Sequence, residues 1–130
     1  MERIECPCRP QIVEPVKFDV GDSIKIIYSF RNLNYYPEYL IPLKRVNFTI
    51  KFYIKGKSEE FLVKKVGSDL TNCKLGDRSD VICLLKDHGL GSGKLMSEIR
   101  LTWGDEDFSD GVNVENYLHD LNIILTDNGK

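Results

Sequence analysis

The sequence has no long apolar run. No stretch approaches the ~20 consecutive apolar residues that a membrane-spanning helix needs. It also lacks an excess of charge of either sign. With 18 basic and 20 acidic residues the formal net charge is -2, which leaves no electrostatic footprint for nucleic acid. Met1-Glu2-Arg3-Ile4-Glu5 opens the chain with no apolar segment of the signal-peptide kind, so Cys6 and Cys8 are not read as a lipoprotein site. Internal repeats, low-complexity tracts and amphipathic helical segments of convincing length are absent. The four cysteines, Cys6, Cys8, Cys73 and Cys83, are expected to stay mostly free thiols in the reducing cytoplasm where the chain is expected to fold. What remains is a 130-residue chain, 42% hydrophobic, long enough to bury one core without disulfide or metal staples.

Alternation with a period of two runs through most of this chain, and such a pattern with one apolar face marks a half-buried strand. Leu95, Ser97, Ile99, Leu101 and Trp103 share one side of a segment, with Met96, Glu98, Arg100 and Thr102 on the other. Val46, Phe48, Ile50, Phe52 and Ile54 do the same around Asn47, Thr49, Lys51 and Tyr53. Further strands are expected at Val16–Val20, Ser23–Phe30, Glu60–Val66 (Phe61 and Val63 inward, Lys64 and Lys65 near the edge), Leu70–Leu75 and Val81–Leu85. Tyr117, His119, Leu121, Ile123 and Leu125 alternate at the end. The rival there is a helix from Asn113, and Ile123-Ile124-Leu125 favours the strand. Turns are expected at Gly21-Asp22, Lys55-Gly56-Lys57, Gly67-Ser68-Asp69 and Gly76–Asp80. The Gly-rich stretch 87–93 is expected to close a central hairpin between 81–85 and 95–103. The expected architecture is all-β: an Ig-like antiparallel β-sandwich of about seven to eight strands at 17–126. An extended Pro-rich arm at 1–16, with Pro7, Pro10 and Pro15, precedes it, and a frayed, disordered tail at 127–130 follows.

No stretch assembles an active site. Gly89-Leu90-Gly91-Ser92-Gly93-Lys94 looks like a phosphate loop, but His88 stands where its first glycine belongs and Leu95 follows the lysine. A strand also follows where that loop requires a helix N-terminus. Asp105, Glu106, Asp107 and Asp110 read as a solvated acidic turn, with an irregular calcium site left as the alternative. The EF-hand register fails at its sixth and twelfth positions counted from Asp105, and at a ligand position, Phe108, counted from Glu106. The cysteine spacings match zinc sites poorly, and Cys73 and Cys83 read as small buried side chains in strands. His88 reads as a turn-capping residue and His119 as a strand residue near the sheet end. No nucleophile elbow, His-Glu-x-x-His or Cys-x-x-Cys motif occurs. The expectation is a protein without enzymatic activity, cofactor or metal.

Several stretches taken together resemble one family. They are Phe48-Thr49-Ile50-Lys51-Phe52-Tyr53, Gly56, Val63-Lys64-Lys65-Val66-Gly67, Leu70-Thr71-Asn72-Cys73, Val81, His88-Gly89-Leu90-Gly91-Ser92-Gly93-Lys94-Leu95, Glu98 and Asp110-Gly111. Over roughly residues 17 to 125 the chain is similar to small β-sandwich modules from the tail, baseplate and head-fibre regions of bacteriophages, especially phages of gut Bacteroidetes. It also resembles the N-terminal adaptor domain of phage upper baseplate proteins. The resemblance implies a structural protein of the virion, assembled in the host cytoplasm, that docks on capsid or tail as a decoration or fibre-anchoring adaptor. Its implied partners are the major capsid protein, tail or fibre proteins and its own copies in the particle, with no nucleic acid or membrane. No catalytic residues carry over. The Tyr-rich loop at 34–42 is not part of the shared motif, and no fibre domain follows Lys130, which favours a bare docking module.

Contacts of that kind use loops, strand edges and terminal arms. The expected partner-contact residues are therefore Cys6, Pro7, Arg9 and Pro10 in the arm, and Tyr35, Tyr36, Pro37 and Tyr39 in the loop. The alternative is a carbohydrate- or peptide-binding module of a bacterial protein, with Tyr35, Tyr36, Tyr39 and Trp103 as an aromatic platform. Trp103 follows the inward phase of its strand and so reads as core.

Overall fold

A computed structural model of the chain describes residues 2–5, 16–29, 46–76, 80–104 and 106–127. Every regular element among them is a strand. They are β1 (Glu2–Glu5), β2 (Val16–Asp19), β3 (Ile24–Ser29), β4 (Asn47–Ile54), β5 (Glu60–Val66), β6 (Asp69–Thr71), β7 (Cys73–Leu75), β8 (Asp80–Leu85), β9 (Gly93–Gly104) and β10 (Val112–Thr126). A four-stranded sheet has the order β1-β3-β8-β7, and a six-stranded sheet the order β2-β10-β9-β4-β5-β6. The two inner faces share one core, so the arrangement is sandwich-like. Ile24, Ile26, Tyr28, Val81, Cys83 and Leu85 come from the small sheet. Phe48, Ile50, Phe52, Leu95, Ile99 and Leu101 come from the large one.

The alternation in the sequence is what builds this core. In β4 and β9 every residue of the expected inward phase is buried, including Ser97. In β10 the phase survives an irregularity. Asp120 faces Met96 and the next pair is Ile123 with Leu95, so Leu121 and Asn122 lie unopposed on β9. Two extra residues preserve a period of two where one would invert it. Asn122 takes a φ of 57° there and its N–H donates to Asp120 Oδ1 at 2.9 Å. The other oxygen of Asp120 accepts from Lys94 Nζ at 2.9 Å. Burial pushes this carboxyl up, but the Lys94 ammonium and the Asn122 amide together hold it below the usual carboxylate range.

The structure corrects five expectations. Both sheets are mixed, because β1 pairs parallel with β3 and β2 parallel with β10, whereas all-antiparallel sheets were expected. Glu2–Glu5, expected within the extended arm at 1–16, is a strand of the small sheet. Leu70–Leu75 is two strands. Asn72, with a φ of 57°, breaks the run, and the chain passes from the edge of the large sheet to the edge of the small one. The Gly-rich stretch closes no hairpin: β8 pairs with β3 and β7, and β9 with β4 and β10, so residues 86–92 cross between sheets. Lys65, expected near the edge, follows the inward phase, is 2% exposed, and donates from Nζ to Val46 O at 2.7 Å. Burial lowers its pKa from the usual lysine value.

Candidate docking end

Strand registers place the connections at two ends of the sandwich. Tyr28, one residue before the end of β3, donates or accepts a 2.5 Å hydrogen bond with Ser97 Oγ on β9. Ile24, at the start of β3, lies with Phe18 and Leu85 beside a groove of about 460 Å³, and Phe18 is in register with Leu125, itself opposite Gly93. β3 therefore runs from the Gly93 end of the large sheet towards its Gly104 end. In that direction the small sheet ends where Ser29 faces both Glu5 and Asp80, and the large sheet where Asn47 faces Thr102 and Gly104 faces Val112. The Gly67–Ser68 turn joins them, its Gly67 N–H donating to Asn47 Oδ1 at 2.9 Å.

The eight expected partner-contact residues, Cys6, Pro7, Arg9, Pro10, Tyr35, Tyr36, Pro37 and Tyr39, lie outside the described residues. The strands that carry their segments are described. The first segment follows Glu5, and the second lies between Ser29 and Val46, so both start from the same end. Between β9 and β10 the acidic stretch opens at this end too. Asp110 Oδ1 accepts from Val112 N–H at 3.1 Å, Gly111 N–H donates to Phe108 O at 2.9 Å, and Phe108 is about half exposed. Among the described residues no group of three or more His, Cys, Asp or Glu side chains is placed to hold a metal ion.

The opposite end is tied down by its own atoms. His88, 7% exposed, accepts the Leu90 N–H at Nδ1 (3.1 Å), which leaves the proton on Nε2 to donate to Asp22 O at 3.1 Å. The imidazole thus caps the 86–92 crossover, as expected, and also holds it to the turn between β2 and β3. Leu90, in the middle of the phosphate-loop lookalike, is 1% exposed, and Gly93 begins β9.

Among the described residues the other titratable groups do not converge on an open cleft. Ser97 and His119 are register partners, but both are buried, and the Ser97 hydroxyl bonds Tyr28. His119 is not near the sheet end as expected. It stands mid-strand, 6.3 Å from the rings of Tyr28 and Tyr117. Trp103 is 6% exposed in the core. On the outer face of the large sheet, Lys51 bridges Glu60 at 3.2 Å and Glu98 at 3.1 Å. The hydrogen bonds that its ammonium donates to Glu98 and then to Glu60 raise its pKa. A shallow groove of about 580 Å³ runs there beside Leu118, which is 61% exposed.

Comparison with known proteins gives no match: no family model, no curated protein and no solved structure. The alternation and the inward Ser97 were legible in the sequence. The buried Lys65 was not, although its phase with Phe61 and Val63 is the signal that points it inward.

Proposed function

We propose that this protein is a non-enzymatic docking module of Ig-like type. It is a structural protein of a phage virion that attaches to capsid or tail through one end of its sandwich. The strand order supports the Ig-like assignment. The four-stranded order β1-β3-β8-β7 and the six-stranded order β2-β10-β9-β4-β5-β6 correspond to the two sheets of a variable-type Ig domain, with the first strand divided between them. The Cys–Trp–Cys pattern of antibody domains is absent, since the one tryptophan, Trp103, lies on the second-last strand.

The observation that carries the functional proposal is the shared end. Both segments with partner-contact chemistry, the Pro-rich arm and the Tyr-rich stretch, start from the paired strand ends Glu5 and Ser29, which point the same way as the 67–68 turn and the 105–111 connection. In Ig variable domains the corresponding connections form the binding end. The virion assignment rests on the sequence resemblance, and the rigid sandwich beneath that end is the support such a dock needs. Replacing Cys6, Pro7, Arg9 and Pro10 by serine, which leaves β1 in place, is expected to abolish incorporation into particles while the domain stays folded by circular dichroism. Unchanged incorporation removes the arm from the dock. Glycan-array binding that disappears on Tyr36→Ala overturns the docking proposal in favour of a carbohydrate-binding module.

A further inference from the structure

We propose that Cys73 and Cys83 form a redox-active dithiol site, which a glutathione-class disulfide closes into an intramolecular disulfide stapling β7 to β8. The two residues face each other directly in the antiparallel β7–β8 pair. The flanking hydrogen bonds fix which kind of pair this is. Leu84 N–H donates to Asn72 O at 2.9 Å and Gly76 N–H to Asp80 O at 2.8 Å. The pairs 72/84 and 76/80 are thus the hydrogen-bonded ones, and by alternation 73/83 is non-hydrogen-bonded. At such positions the Cα atoms stand about 4.5 Å apart with side chains on the same face, inside the about 4.4–6.8 Å span that a disulfide bridges. Both are free thiols in the structure.

The surroundings give the pair an order of reaction. Cys83 is fully buried in the core. Cys73 is partly buried, packs against that core, and donates its S–H to Lys64 O at 3.6 Å. It belongs to a three-residue edge strand that pairs with β8 alone. Cys73 is therefore the thiol an external disulfide reaches first. Its thiolate attacks one sulfur of glutathione disulfide, forms a Cys73–glutathione mixed disulfide and releases one glutathione thiolate. The Cys83 thiolate then attacks the Cys73 sulfur and releases the second. Each cysteine proton ends on a departing glutathione, so the protein loses two hydrogens and one glutathione disulfide becomes two glutathiones. The bond closes a short ring across the 76–80 turn, just after Asn72 sends the chain from one sheet to the other.

The test uses the full chain with Cys6→Ser and Cys8→Ser, treated with glutathione disulfide and read by intact mass under non-reducing conditions. The expected product is lighter by two hydrogens, carries no glutathione, and yields a peptide linking the 73 and 83 segments. A folded protein that stays reduced, or that stops at the mixed disulfide, overturns the proposal. Cys83→Ser in the same background is expected to accumulate the Cys73 adduct, and a folded variant that takes up no glutathione contradicts the order of reaction. If Cys83→Ser fails to fold, the thermal midpoint of the closed parent decides. It is expected to rise by roughly 5–10 °C over the reduced form. A midpoint that stays or falls overturns the staple.

Discussion

Ser97 sits between Phe52 and His119 in the rungs of the large sheet and reaches across the core to Tyr28 on the small one. A buried hydroxyl pair of this kind fixes how the sheets sit on each other, because apolar contact alone has no preferred register. Ser97→Ala is expected to destabilise the fold by about 1–2 kcal/mol in urea denaturation, and Tyr28→Phe by a similar amount. The double substitution should lose less than the sum, and strict additivity would show that the two hydroxyls do not interact. The Cys83 thiol adds a pH dependence. Burial, and then neighbouring Cys73, push it well above the ordinary thiol value. A folded pKa above the unfolded one keeps its stabilisation whole below about pH 9, and the stabilisation is lost as pH rises from there towards the folded value. Under reducing conditions, Cys83→Val should flatten the alkaline fall in stability above about pH 9 relative to the parent. Parallel curves for the two proteins would contradict this assignment.

At the scale of elements, single residues of unusual backbone decide how the strands connect. Gly93 starts β9 with a φ of 133°, and a Cβ there would lie 2.5 Å from Ile54 Cγ2. Gly89, four residues earlier, has a φ of 70° and open space around it. Gly93→Ala is expected to cost about 2–4 kcal/mol and Gly89→Ala about 1 kcal/mol in the same unfolding assay. Equal effects would mean that the approach of β9 to Ile54 is not what requires glycine. Asn72 turns the chain between sheets at a φ of 57° while its Nδ2 donates to Leu62 O at 2.9 Å. Asn72→Val should therefore destabilise by about 2–3 kcal/mol, and Asn72→Gly by about 1 kcal/mol or less. This scale also shows where sequence reading stops. Alternation displays which face of a strand is buried, and it places β3, β4 and β9 to within two residues, while β10 begins at Val112, five residues before the expected Tyr117. It carries no information about which strand lies alongside. The 87–93 glycines mark a bend without saying whether the next strand returns to β8 or crosses to the other sheet. One asparagine in left-handed backbone leaves no periodic trace, so β6 and β7 read as one strand. The parallel pairs of β1 and β2 are settled by partners distant in sequence, beyond the reach of any local pattern.

For the whole molecule, the partition into two ends matters most. At one end His88 and Asp22 hold the 86–92 crossover to the β2–β3 turn. At the other, the Pro-rich and Tyr-rich segments start from the paired strand ends Glu5 and Ser29, which point the same way as the 67–68 turn and the 105–111 connection. The chemistry of those segments was legible in the sequence as aromatic and proline-rich composition. That they start from paired strand ends, Glu5 and Ser29, was not, because it depends on the direction in which β1 and β3 run side by side. The most direct measurement is quantitative mass spectrometry of purified particles, combined with chemical cross-linking. The expected result is this protein in a copy number set by the particle's symmetry, with cross-links to capsid, tail or fibre subunits mapping to lysines towards the Ser29–Asn47 end, such as Lys64 and Lys74. Its absence from particles, or cross-links confined to Lys55, Lys57 and Lys86 at the opposite end, would contradict it.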